Sequence, residues 1–556
     1  MKVKWGGVIF KHTASGNIAT ITDGATFRNV EFTLGNYNYN GFQHAGTINM
    51  EGCTLNGRLC SYGDMNFTNC QFVQNNSDYH MWTYAGNVTY DDCTFTNNAT
   101  GKFINVFKES TSERYTVKVN NSKFINKATT ASKAALNVKA TSGSNLLSYD
   151  VIINNCTTDG AFPEANWGST LVVLNNLAQV DDRTASGVDN ITVTQDGTLI
   201  YPKYVAQVGE TKYPTLAAAV AAVPAGTETT ITMIDNEKIQ GNAGVTIPAG
   251  KNIILDLNGK TITGDVTESK SAQTILNQGT LTVKDSSEDL TGTLTNEVSD
   301  TNAGSPGENK NWYSNVITNN GTLTVSSGNI ANTGNGGACY AIDNITNSTL
   351  YTAILNINGG SISAVKTTIR MFCNSTTNDN TLNMTGGSVK GGNGIQTMMP
   401  NNNANKATVN ISGGYIQGYY AWYDYGNKNV STQFDNANYT ISGGFFTGWI
   451  YSYAGSYCGK DGFITGGYYN EELTDKYIAD GYIAAANTDE ETKEAYPYIV
   501  REGTYVAQIV TGESVAKYET LEAAFAAAND GETIKLLADC AGNGIKVAQG
   551  RNMPRI

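Results

Sequence analysis

Six copies of one short pattern, spread over residues 323–469, constrain this chain more than any other feature: LTVSSGNI, LNINGGSI, LNMTGGSV, VNISGGYI, YTISGGFF and GFITGGYY. Their small-residue pairs begin at Ser327, Gly359, Gly386, Gly413, Gly443 and Gly466, so successive copies lie 32, 27, 27, 30 and 23 residues apart. Two residues before each pair stands Val325, Ile357, Met384, Ile411, Ile441 or Ile464. Three after its first residue stands Ile330, Ile362, Val389, Ile416, Phe446 or Tyr469. Polar residues mostly fill the positions between. This period-two alternation predicts strands with one buried face. A repeat of roughly 20–50 residues signals stacked units. Strand, glycine turn and strand at this period suit one coil of a parallel β-helix, with equivalent residues about 4.8 Å apart. A propeller blade needs four antiparallel strands in about 40 residues, which fits less well.

Residues 1–203 carry a second ladder: TFRNVEF, INMEGCTL, NFTNCQF, VTYDDCTF, VKVNNSKF and VIINNCTT. Its aligned positions hold Cys53, Cys70, Cys93, Ser122 and Cys156, each preceded by Gly52, Asn69, Asp92, Asn121 or Asn155. Gly, Asn and Asp tolerate left-handed backbone at a turn. Free Cys is among the most buried residue types, so the column is expected to be reduced and inside the coils. ITVTQDGTLIYPK predicts a closing hairpin with Asp196-Gly197 at its turn, and a boundary near Lys203.

In residues 204–234, Leu216, Ala219, Val220 and Val223 have helical spacing. Thr215 is the expected N-cap, and Pro224 and Gly226 stop the helix. A helix over the open end of a β-helix shields unpaired strand edges. Residues 505–537 repeat the segment, with Thr520, Leu521, Ala524, Phe525 and Gly531 in place. The predicted organisation is therefore a block at 1–203, a module at 204–500 and the start of a third, truncated module at 501–556. The second module holds a capping helix at about 214–223, a Gly-Gly block and a closing segment at 471–500. Because the third module stops early, the chain is expected to be a monomeric fragment of a longer protein, with 541–556 weakly ordered.

The cap segment followed by DLNGKTITG resembles the pectin-lyase-like β-helix modules of large bacterial cell-surface, adhesin-like proteins. The resemblance implies an all-β fold, a right-handed parallel β-helix in tandem blocks, each later block preceded by a short amphipathic helix. It also implies secretion to the cell surface, although neither an anchor motif nor a signal peptide is present in the sequence. Either the start is missing or secretion uses another route.

Charge and chemistry narrow the function. The 556 residues have a formal net charge of −13 and no basic stripe, which argues against nucleic acid as a partner. No run of about 18 apolar residues suggests membrane insertion. The nine cysteines lack zinc spacing, and no cofactor or metal site is expected. Lyases and glycosidases also use this fold, but glycosidases need two carboxylates on one face. The adjacent pairs Asp91-Asp92, Asp181-Asp182 and Glu471-Glu472 point to opposite faces of a strand. An enzyme would need carboxylates that meet across neighbouring coils. The three histidines, His12, His44 and His80, form no catalytic pattern.

Aromatic clusters are the strongest functional signal. YYAWYDYG (419–426) and FFTGWIYSYAGSYCG (445–459) occupy successive coils. The expected glycan-binding strip is Tyr419, Trp422, Tyr423, Trp449, Tyr451 and Tyr453; the alternative is that these rings plug the tapering end of the solenoid. If Asp424 faced solvent, alternation would turn Trp422 outward as well. The leading reading is a non-catalytic extracellular surface protein that binds polysaccharide or a host or bacterial surface glycan. The alternatives are a polysaccharide lyase or glycoside hydrolase, and a purely structural spacer.

Overall fold

Strand after strand, this chain returns to pair with itself three places back. The computed structural model describes residues 8–540 and Gly544, apart from 15, 37–39, 100–101, 108–113, 130–134, 140–148, 161, 163–171, 174–177, 182–190, 202–203, 267–271, 299–313, 335–337, 348–351, 400–404, 427–433, 454–459 and 512–513. Apart from Gly544, the expectation for 541–556 lies outside the described residues. The chain is nearly all β among the described residues, with two short α-helices. It divides into two compact units, Met1–Lys203 and Tyr204–Ile556.

In the first unit, successive strands visit three sheets in rotation. Ile48–Glu51, Thr54–Asn56 and Leu59–Tyr62 make one circuit, and Met65–Thr68, Gln71–Gln74 and Tyr79–Ala85 the next. Each strand pairs in parallel with its counterpart one circuit on, as Ile48 with Met65 and Phe72 with Phe95. Like residues consequently stack. The rings of Phe72, Phe95 and Phe124 lie nearly parallel, with centroids 4.4 and 4.7 Å apart. The corner residues Asn69, Asp92, Asn121 and Asn155 all have φ near +50°, the left-handed backbone that Asn and Asp tolerate.

The residue after each corner turns inward. Cys53, Cys70, Cys93 and Cys156 are buried and reduced. Each thiol donates to a main-chain carbonyl of an earlier circuit: to Phe27, Met50, Phe67 and Val119 respectively. Burial pushes the Cys156 thiol up to about 11. Cys70 is pulled down by Cys53 but raised by Cys93 and burial, and reaches about 12.

In the second unit a 10-stranded sheet, parallel from Glu228–Met233 onward, collects the strands before the first five small-residue pairs, and a 17-stranded sheet collects most of the others. Val325, Ile357, Met384, Ile411, Ile441 and Ile464 pair in register and are all buried, as alternation predicts. The pair itself serves two needs. A Cβ on Gly413 would meet the Thr385 carbonyl oxygen at 2.4 Å, and Gly414 has φ +89°. One glycine permits the close approach and the next the turn. Beside this column, Asn277, Asn319, Asn344 and Asn380 are fully buried. Each amide donates to the next, at 2.7, 2.5 and 2.7 Å.

Antiparallel strands end the parallel run at both sides. At the start, Ala206–Val208 lies against Thr211–Tyr213 and Glu228–Met233. Helix α1, Leu216–Ala222, follows the first two, capped by the Thr215 hydroxyl, which accepts from the Ala218 N–H. Leu216, Ala219 and Val220 are buried. At the far side, Tyr498–Glu502 pairs antiparallel with Tyr482–Ala486 and Tyr468–Tyr469. Helix α2, Leu521–Ala527, lies beyond, with Thr520 as its cap. Its Leu521 and Phe525 are only half-buried.

Two outcomes test this packing. Native thiol labelling should modify the exposed Cys540 quickly and leave Cys53, Cys70 and Cys93 untouched; rapid labelling of those three would contradict the stacked column. Asn344→Ala removes one donor and one acceptor from a buried chain of amides. It should lower the stability of the second unit by about 1–3 kcal/mol, read as a lower urea midpoint at unchanged slope.

Candidate functional site

Two long strands of the 17-stranded sheet, Tyr415–Gly426 and Phe445–Tyr453, carry the aromatic clusters. Their pairing starts in the register of the glycine pairs: Tyr415 with Phe445, Ile416 with Phe446, Gln417 with Thr447. It then slips. Beyond a double irregularity Tyr420 pairs with Trp449, Trp422 with Ile450, Tyr423 with Tyr451 and Asp424 with Ser452. The cause is a pinch between Gly418 and Gly448. A Cβ on Gly448 would lie 1.8 Å from the Gly418 carbonyl oxygen, and Gly448 has φ +114°. Only glycine fits such an approach.

The slip decides which rings face out. Trp422, expected in the outward strip, is fully buried and packs edge-on against Tyr439 and Phe463. Asp424 points the same way and is also buried, accepting a 2.6 Å hydrogen bond from the Ser452 hydroxyl. A buried carboxylate needs such a partner. The bulge turns both side chains inward, so the assumption that Asp424 faces solvent fails and Trp422 leaves the strip.

The other expected residues divide. Tyr419, Trp449 and Tyr451 are 67%, 45% and 38% exposed. Tyr423 is half-buried beside Tyr420. The side chain of Tyr453 lies outside the described residues. Tyr420 joins the group: its ring stacks on Tyr451 at 5.5 Å and meets Tyr419 edge-on. Trp449 contacts no other ring among the described residues, which leaves the faces of its indole free of aromatic neighbours.

A second row of rings keeps the regular register. Tyr415, Phe445 and Tyr468 each follow a glycine pair and pair in register. Their rings stack at 4.8 Å with interplanar angles of 11° and 15°. The signal was visible as GGYI, GGFF and GGYY. Stacked this closely, the middle ring, Phe445, presents an edge to solvent rather than a face, while Tyr415 at the end of the row is 54% exposed.

Three carboxylates serve the backbone, and the expected adjacent pairs do not form a dyad among the described residues. Asp285 accepts from the N–H groups of Gly259, Ser287 and Gly292 and from the Ser287 hydroxyl. Asp256 accepts from the N–H groups of Asn258 and Ser286. These bonds hold the DLNG corner, where Asn258 and Gly259 have positive φ. Glu237, raised by burial, accepts the N–H of Leu216 at the start of α1. Asp91 accepts from Asn120, and Asp92 sits at a corner with φ +55°. Glu471 accepts from Asn470. Asp182 and the side chain of Asp181 are outside the described residues. His80 is buried, 3.0 Å from the Thr96 carbonyl and stacked on Phe103.

Comparison with protein-family models, curated proteins and solved structures finds no match to this chain.

The corner carboxylate gives a pH prediction. Burial raises the Asp285 pKa, but the hydrogen bonds from Ser287, Gly259 and Gly292 outweigh it, and the group lies below the ordinary aspartate value. A depressed folded-state pKa stabilises fully above the unfolded value and is lost as pH falls through the folded one. Acid titration of the wild type should thus show stability falling below roughly pH 4. Asp285→Asn should be less stable at neutral pH and flatter across that range; parallel curves for the two proteins would count against the role.

Proposed function

We propose that this chain is a right-handed parallel β-helix repeat protein of an extracellular surface. Its role is to bind glycans without cleaving them, on the outer face around Trp449. Parallel pairing at every third strand supports the helical winding, and parallel crossovers are right-handed as a rule. The observation that carries the binding reading is the exposed group Tyr419, Trp449 and Tyr451, flanked by Tyr420. Amphipathic rings of this kind combine an apolar face with a polar tip, the chemistry that stacks on a sugar ring and bonds its hydroxyls. The lyase or glycosidase reading is weaker, because Asp256 and Asp285 are committed to a corner, Glu237 to a helix cap and Asp91 to Asn120.

A glycan array with a product readout tests this. Binding without new reducing ends or unsaturated sugars is expected. Trp449→Ala combined with Tyr451→Ala should abolish binding while circular dichroism and the unfolding midpoint stay near wild type, since exposed substitutions usually cost within about 0.5 kcal/mol. Unfolding of the double variant would show these rings to be core, and undiminished binding would place the ligand elsewhere.

A further inference from the structure

One face of the second unit is uncharged and regular over six strands. From Thr280–Lys284 to Ala437–Ile441 the 10-stranded sheet runs parallel in unbroken register. Thr282, Thr324, Asn356, Asn383, Asn410 and Thr440 form one outward column. A second column, two residues earlier on each strand, runs from Thr280 to Asn438. The twelve positions hold seven threonines, four asparagines and one isoleucine, Ile354, and none is buried. This is not a general property of the chain's sheets. In the first unit, the outward positions of the sheet around Ile48–Glu51 include Arg28, Glu51, Asp91 and Lys118.

The backbone fixes the dimensions of this array. Neighbours within a column lie about 4.8 Å apart, and the two columns about 6.6 Å apart, twice the rise per residue. The side chains are tied as well. Asn410 donates to Asn383 and Asn383 to Asn356, each at 2.9 Å, and Asn356 donates to the Thr324 hydroxyl at 3.3 Å. Side-chain ladders of this kind help a many-stranded sheet stay flat. An asparagine in such a chain keeps a second N–H and a second lone pair for water. At the rim, Thr408 donates its hydroxyl proton to Asp379 instead.

We propose that this face binds ice. A surface of ice presents water oxygens at fixed intervals in two directions, and the strand spacing lies close to one of its lattice repeats. Hydroxyls and amides held at fixed intervals in two directions can order a first water layer in those places. Water bridging two polar groups is enthalpically nearly as good as a direct hydrogen bond, and each threonine adds a methyl group that packs beside the bound layer. An ionised side chain would work against this, because it orders water around itself rather than in a lattice. Two features together carry the proposal: regularity in both directions, and twelve positions without a charge. The six strands extend the array over about 24 Å, so many weak contacts act at once. The proposal does not rest on the glycan reading, which concerns rings on another sheet.

The test uses the full chain, labelled with fluorescein at the exposed Cys540, and ice grown slowly from its solution. The label should enter the growing ice, from which labelled serum albumin is excluded. Thr324→Lys, which sets a charge in the middle of the array, should lower incorporation at least roughly tenfold, since the ion must give up water to the lattice. Its circular dichroism and unfolding midpoint should stay near wild type; should it misfold, Thr440→Lys on the last strand of the array takes its place. Thr94→Lys, at an outward position of the first unit, should leave incorporation unchanged. The proposal is overturned if ice excludes the wild type, if the folded array variant enters ice as well as the wild type does, or if Thr94→Lys abolishes entry. It is also overturned if sedimentation shows the face taken by a second copy, in a dimer that Thr324→Lys dissolves.

Discussion

Everything in this fold depends on how closely one circuit of backbone lies on the next. Parallel strands sit roughly 4.8 Å apart, and the corners between them must stack at the same spacing. At the Gly-Gly corners there is no room for a Cβ: one on Gly359 would lie 2.2 Å from the Ser326 carbonyl oxygen. At the first unit's corners the requirement is a left-handed residue, met by Asn or Asp. The corners therefore dictate composition more strictly than the strands do. They explain why glycine and asparagine recur at fixed places while the residues between them vary within a class.

Stacking also makes each column answer for itself. A buried asparagine in a globular core needs partners from several directions. Here Asn319 finds Asn277 below and Asn344 above, in the same position of the neighbouring circuits. The Phe72, Phe95 and Phe124 rings do the same with dispersion contacts. An interaction that works once is repeated along the stack, so one substitution disturbs two neighbours. Hydroxyl and thiol columns follow the same logic, Cys93 being bonded through its N–H to the Ser122 hydroxyl in the Cys column's own vacant register.

That repetition is why so much was legible. The column from Val325 to Ile464, the left-handed corners and the inward cysteines could be read because each position occurs five or six times, and chance agreement at all of them is implausible. The helix α1 was legible for a different reason, its spacing and its cap. The aromatic site was not, because it depends on a single event that does not repeat. Counting from Gly413 and Gly443 gives the true pairing as far as Gln417 and Thr447, and then the pinch at Gly418 and Gly448 absorbs residues unequally. Both glycines stand in the sequence, but nothing local says that the chain slips there rather than turning. Asp424 carried the hint: a carboxylate inside with Trp422 is acceptable only because Ser452 lies opposite it, a partner that the slipped register supplies.

The same event bears on where a ligand fits. A stack in perfect register lays ring on ring, as Tyr415, Phe445 and Tyr468 show. The middle ring, Phe445, then spends both faces on its neighbours, and only Tyr415 at the end of the row stays 54% exposed. Regularity, which builds the core so well, thus consumes the surface that a sugar ring needs. Only where register breaks do rings part. Past the bulge Trp449 is paired with Tyr420 along the backbone yet stacks on no ring among the described residues, and Tyr419 meets its neighbour at 84° rather than face to face. Restoring the regular register would bring Trp449 opposite Tyr419, ring over ring, and close the face that the binding reading requires. The irregularity that defeats residue counting is therefore the feature that keeps Trp449 out of a stack.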